Sequence, residues 1–207
     1  TSNYTIFDAD DSLSLIKKIM AALDISKDRY NPLAAQNQIS KIKNELSSGE
    51  ELEDPAGTIY QEYEAALIKN NGFDFDDLIE KVVRVFQNHP LVLEKYQDRF
   101  RYILVDEYQD INAAQYQLIK LLAGKHQNLS VVGDDAQAIY AFRGADFRNF
   151  LNFEKDWPGA KVVKLEQNYR STANIISAAS ALIKKNTFQN PKDLWTANAD
   201  GELVKVI

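Results

Sequence analysis

Through the first hundred positions, apolar residues recur at helical spacing. Leu13, Ile16, Ile19, Met20 and Leu23 share one face of a helix over Asp10–Leu23, opened by an Asp/Ser cap. Ile39, Ile42 and Leu46 mark a second helix that stops at "SSG", and Tyr60, Tyr63 and Leu67 a third that stops at Gly72. A fourth is predicted from Phe73 to Phe86 in "FDFDDLIEKVVRVF", ended by "NHP" at Pro90. A fifth, shorter one reaches about Arg99. Between the second and third helices, "GEELEDPAG" is acidic and carries Pro and Gly, the composition of a solvated loop.

Past Phe100 the pattern changes. "YILV", Tyr102–Val105, is continuously apolar, which predicts a strand buried on both faces, as in parallel sheets. A helix capped near Asn112 and closed by Gly124 follows, then a strand in "LSVVGD" and a helix around Phe147–Phe153. "AKVVKLEQN" predicts a further strand, "TANIISAASALIKKN" a helix, and "ELVKVI" a last strand-like run. Strands alternating with helices at this spacing predict an α/β unit on a parallel sheet. The chain therefore divides near Phe100 into a helical block and an α/β block.

Composition narrows the function classes. The 207 residues are 45% hydrophobic and 26% charged, ordinary for a globular protein. No apolar run approaches the ~20 residues that span a bilayer, so no membrane role is expected. The absence of cysteine excludes disulfides and thiolate metal sites and fits a cytoplasmic protein. His89 and His126 stand far apart, each placed for a loop or a helix end rather than for a shared metal. A net charge of −6 argues against a passive nucleic-acid coat held by phosphate contacts. It leaves room for a protein that stacks bases on aromatic side chains, and ten Tyr, ten Phe and two Trp are available.

Three stretches carry candidate chemistry. In "YILVDEYQD" the apolar strand ends on Asp106 and Glu107, and ligands of parallel sheets bind beyond the carboxyl ends of strands. One acid can hold Mg²⁺ while its neighbour orients and deprotonates a water. The same pair also serves as a helix cap or a solvated turn. In "VVGDDAQAIYAFRGAD" a second strand breaks into acids, followed by Gln137, Tyr140, Phe142 and Arg143. That Gln can report on a terminal phosphate and the rings can meet bases, or the rings can simply pack in a core. In "LEQNYRS", Tyr169 and Arg170 follow a strand, where a ring stacks on a base while a guanidinium reaches a phosphate. A surface arginine beside a half-buried ring has the same spelling.

Taken together, in this order and spacing, the three stretches closely resemble the second, third and fourth motifs of UvrD/Rep/PcrA-type superfamily 1 DNA helicases. "FDFDDLI" and the opening "YTIFDADDSLSLIKKIM" resemble further family stretches, so the resemblance covers essentially the whole chain. It implies an α/β, P-loop NTPase (RecA-like) parallel-sheet fragment with a large all-helical inserted subdomain. Residues 1–8 would end a RecA-like strand region, 9–98 form the helical insertion, 99–160 continue the first RecA-like domain and 161–207 begin the second. The implied activity is ATP-dependent translocation on single-stranded DNA and unwinding at duplex–single-strand junctions, in DNA repair among other settings, with ATP and Mg²⁺. By the same resemblance Asp106 is the Mg²⁺ ligand, Glu107 the catalytic base and Gln137 the γ-phosphate sensor. Tyr169 stacks on the adenine and Arg170 is the arginine finger. Phe75, Tyr140 and Phe142, with Arg143 beside them, line the DNA track.

Departures from the family pattern accompany this. Phe142 stands where Trp is usual, offering less ring area and no indole N–H. Ala138 replaces a common Ser. No G-x-x-x-x-G-K-[ST] occurs; Gly124-Lys125 is followed by His126 and lacks the earlier glycine. The expectation is an internal fragment, inactive alone, whose phosphate-binding loop lies upstream and whose last motifs lie downstream. Three rival readings remain at this point. One is a non-catalytic DNA- or protein-binding module, and another a subunit of a helicase–nuclease. The third is a Mg²⁺-dependent phosphohydrolase built on Asp106, Asp110, Asp134 and Asp135, which lacks an evident phosphate cradle.

Overall fold

The structure, a computed structural model, describes residues 3–140, 144–146, 148–187 and 191–205. The opening stretch forms β1 (Thr5–Phe7), and Asp8 then starts α1 (Ala9–Ala22) with a capping box to Asp11. Asn31 caps α2 (Pro32–Glu45), with Pro32 in the first turn, where a missing N–H costs nothing. Leu46 closes α2 in the left-handed conformation, and Ser47 N–H donates to the Ile42 carbonyl at 3.0 Å. After the loop comes α3 (Ala56–Lys69). The apolar faces predicted from spacing meet here. Ile16, Ile19 and Met20 of α1 pack with Ala35 and Ile39 of α2 and Ile59, Tyr63 and Leu67 of α3.

The predicted helix from Phe73 begins later. Gly72–Asp74 is β2, parallel to β1 in the register Thr5↔Gly72, Ile6↔Phe73, Phe7↔Asp74. The helix, α4 (Asp77–Asn88), starts once Asp74 and Asp77 have satisfied each other's backbone. Asp77 N–H donates to Asp74 Oδ1 at 2.8 Å and Asp74 N–H to Asp77 Oδ2 at 3.2 Å. Pairing with β1 and this reciprocal cap together override the local helix propensity. Pro90 separates α4 from α5 (Pro90–Arg99), as the sequence predicts.

Beyond Phe100, β3 (Ile103–Val105) and β4 (Leu129–Val131) form a second parallel pair, linked by α6 (Ala113–Ala123). Asn112 and Gln115 make the capping box of α6. The expectation that β3 is buried on both faces is not met. Leu104 is 82% exposed, because β3 pairs only with β4 among the described residues. The helix expected around 147–153 is two single turns, α7 (Arg148–Leu151) and α8 (Phe153–Asp156), broken at Asn152.

The strand expected in "AKVVKLEQN" is absent. Residues 161–166 have no regular structure and expose Val162, Val163 and Leu165, since no described strand pairs with them. Only Gln167 makes a bridge, to Trp195. The last helix, α9 (Ala173–Ile183), follows, and residues 202–205 form no strand. Among the described residues no helix is long and apolar enough to cross a membrane.

Candidate functional site

The ends of β3 and β4 lie side by side, and their following loops carry most of the candidate residues. Val132 N–H donates to the Val105 carbonyl at 2.8 Å, and Tyr108 N–H to the Val132 carbonyl at 3.0 Å, extending the pairing past both strands. Tyr108 then anchors the first loop, buried against Phe150 and Phe153. Burial raises its hydroxyl well above the usual tyrosine value. With that ring fixed below, Asp106 and Glu107 are turned outward, and both are exposed. Glu107 adopts φ 49°, left-handed and costly for a residue with a side chain. Asp106 Oδ1 accepts from the Glu107 N–H at 2.9 Å. Among the described residues its other oxygen has no protein partner and neither acid has a cation beside it.

One buried side chain joins this loop to the next. Gln109, 1% exposed, donates from Nε2 to Glu107 Oε2 at 2.8 Å and to Asp110 Oδ2 at 3.3 Å. Its Oε1 accepts from the Asp134 N–H at 3.0 Å. Gly133 leaves room for it: a Cβ there would lie 2.6 Å from that Oε1 and 2.9 Å from Phe150. Asp134 in turn holds the next turn, accepting from Ala136 N–H at 3.0 Å and from Gln137 Nε2 at 2.8 Å. Lys192 pairs with Asp134 and, at 3.2 Å, with Asp135. Burial pushes the Asp134 carboxyl up, but the Lys192 ammonium and the Gln137 amide outweigh it and hold it below the usual range.

Glu107 and Gln137 are thus connected through Gln109 and Asp134. Tyr169 and Arg170 sit elsewhere, on a turn before α9 in which Asn168 Oδ1 accepts from the N–H groups of Arg170 (3.0 Å) and Ser171 (2.8 Å). Both are exposed, and no hydrogen bond or ion pair among the described residues ties them to Glu107 or Gln137. Phe75, 58% exposed, projects between β2 and α4. Tyr140 is partly exposed on the loop after β4; Phe142 and Arg143 lie outside the described residues. Neither Gln109 nor Lys192 stands out in the sequence. "DEYQD" contains the Gln, but only its burial and the adjacent Gly133 reveal what it bridges.

Mg²⁺ keeps most of its waters and takes one or two protein carboxylates plus substrate phosphates. Asp106, with an oxygen open and no competing cation, fits that demand, and the buried, unpartnered Asp110 Oδ1 lies four residues on. Among the described residues no group of three or more acids or histidines could hold an ion by itself. The residues fit the metal-and-base side of a nucleotide site and supply no phosphate-binding loop.

Parallel strands whose carboxyl ends deliver an Asp-Glu pair and a linked Gln turn agree with the family that the sequence matches. Residues 1–158 match the UvrD/REP helicase N-terminal domain, and the chain belongs to that family. The ATP-dependent DNA helicase PcrA of Bacillus subtilis (strain 168) is 48% identical over 96% of this chain. Its namesakes from Staphylococcus epidermidis and Staphylococcus aureus are each 47% identical over 98% of it. The chain spans only 28–29% of the length of these relatives.

Proposed function

We propose that this chain is the central segment of an ATP-dependent DNA helicase that moves along single-stranded DNA and unwinds duplex at junctions. In this reading the β3–β4 pair belongs to a RecA-like P-loop NTPase domain, the helices of residues 9–98 to its insertion, and residues 161–207 to the start of a second such domain. The observation that carries the reading is the connection of Glu107 to Gln137 through Gln109 and Asp134. A binding module has no need to place a general base and a phosphate sensor in one hydrogen-bonded unit.

Asp106 would hold Mg²⁺, which when bound neutralises charge on the phosphates. Glu107 orients a water and takes its proton; its exposed carboxylate follows the end of β3, with one oxygen held by Gln109. Gln137 leaves Asp134 to meet the terminal phosphate, so the acid that holds it in this structure serves as its resting acceptor. Arg170, exposed and without an ion-pair partner among the described residues, is available as the finger that stabilises developing charge. Tyr169 offers its face to the adenine. Phe75, Tyr140, Phe142 and Arg143 pass the single strand, so that closure of the two domains moves DNA.

One feature of the sequence favours a second reading for the segment in isolation: without G-x-x-x-x-G-K-[ST] it has no cradle for the β-phosphate. The 207-residue chain alone is then a binder at most. The test is ATP hydrolysis by the full-length protein, with and without single-stranded DNA, beside the segment. DNA-stimulated turnover and strand separation by the full-length protein, and none by the segment, are expected. No hydrolysis by the full-length protein would refute the helicase reading, and hydrolysis by the segment would refute its dependence on a phosphate-binding loop elsewhere.

A further inference from the structure

We propose that Gln109 is a positioning residue for hydrolysis, setting the carboxylate of Glu107 and locking it in register with the turn that carries Gln137. This rests on the reading of Glu107 as the general base.

The orientation of the Gln109 amide follows from its partners. A backbone N–H can only donate, so the end facing Asp134 is the oxygen, and the NH₂ must face the carboxylates. Both NH₂ hydrogens are used, on Glu107 and Asp110, and the side chain is buried with every polar atom satisfied. Glu107 itself is exposed, on a long flexible side chain, in a strained backbone conformation. Left alone it would sample several rotamers. The Gln109 amide is its only side-chain partner among the described residues, and so selects one of them.

The other end of the same amide rests on the first residue of the Gln137 turn. Any movement of that turn toward or away from a phosphate pulls on the group that aims the base. Gly133 is part of the device, since any side chain there would occupy the space of Oε1. The effect is geometric. Misplacing a reacting group by about an ångström costs on the order of a hundredfold in rate with little change in binding.

The experiment compares Gln109→Glu and Gln109→Met in the full-length protein, with Glu107→Gln in parallel. Gln109→Glu keeps an acceptor for the Asp134 N–H but replaces the donors to Glu107 with a repelling carboxylate. Gln109→Met keeps the length and removes both links. Expected is a fall in DNA-stimulated kcat of roughly 10- to 100-fold per folded molecule in both, with KM for ATP unchanged. Amide exchange at Asp134, read in the 207-residue chain, should stay slow in Gln109→Glu and quicken in Gln109→Met. Gly133→Ala, which displaces the amide without removing it, should give the same loss confined to kcat.

If Gln109→Glu turns over like wild type while Gln109→Met loses kcat and thermal stability together, Gln109 is only a structural tie and the proposal is overturned. If Glu107→Gln itself turns over normally, the general-base reading fails instead.

Discussion

Two groups of acids occupy equivalent places in this chain, each at the carboxyl end of a parallel strand. At the end of β2 stand Asp74, Asp76 and Asp77; after β3 come Asp106 and Glu107. Their surroundings are opposite. The β2 group is closed over by Lys43 of α2, whose buried ammonium reaches Asp74 Oδ2 at 2.7 Å, Asp77 Oδ1 at 2.9 Å and Glu64 Oε1 at 2.7 Å. Burial alone would lower that lysine's pKa, but the three carboxylates outweigh it and hold it above the ordinary lysine value. Lys81 adds a second cation, at 2.8 Å from Glu64, and Asn44 donates to Asp76 at 3.0 Å. The β3 group meets no cation among the described residues and is exposed. At the end of β2 the protein neutralises its own acids, and at the end of β3 it leaves them open to a ligand.

Four substitutions or conditions sharpen that contrast. The largest effect is expected at the open group: Glu107→Gln should cut ATP turnover by the full-length protein ~10²–10⁴-fold. Nucleotide binding and the melting temperature should hold, because the side chain is exposed. At the closed group the loss should be one of stability. Lys43→Met leaves several acids buried without their cation, costing ~3–5 kcal/mol in a denaturant titration of the 207-residue chain. If turnover per folded molecule fell as steeply as in Glu107→Gln, the two groups would not be distinct.

Phe75 stands on the boundary, an exposed ring rising from the closed group. Phe75→Ala in the full-length protein should weaken single-strand binding by ~1–3 kcal/mol, roughly 5- to 150-fold. Its melting temperature should barely move; a large drop would place the ring in a core instead. Smallest is the acid response of the closed group. Burial raises the Glu64 carboxyl, but Lys43 and Lys81 prevail and hold it below its ordinary 4.5. Its stabilising contribution is therefore complete above that value and is lost as pH falls through the lower folded one. Thermal melts from pH 5 down to about 3 should decline more steeply for wild type than for Glu64→Gln.

What the sequence made legible follows the range of the interactions involved. The helices before Phe100, apart from the start of α4, and the cap at Asn112 are local patterns, and they stand where spacing puts them. So do the acids after "YILV", because a short apolar run ending in charge needs no distant partner to be noticed. The start of α4 is not legible locally because β2 exists only by pairing with β1, 67 residues earlier in the chain. The strand expected at 160–168 fails for the complementary reason, since an apolar run cannot form a ladder without a neighbour. Lys43 looks like any lysine on an amphipathic helix until Asp74 and Asp77 are brought to it. Gln109 is hidden in the same way, its meaning supplied by Gly133 and Asp134 on the adjacent strand end.

The claim that the open group, and not the closed one, is the metal-and-base side of an ATP site is tested most directly by the Mg²⁺ dependence of DNA-stimulated ATP hydrolysis. The full-length protein should be compared as wild type, Asp106→Asn and Asp74→Asn. Asp106→Asn should raise the Mg²⁺ concentration for half-maximal rate and lower the maximal rate, with melting unchanged. Asp74→Asn should lower the melting temperature and leave the Mg²⁺ dependence as it is. An unaltered Mg²⁺ curve for Asp106→Asn, or a shifted one for Asp74→Asn, would contradict the account.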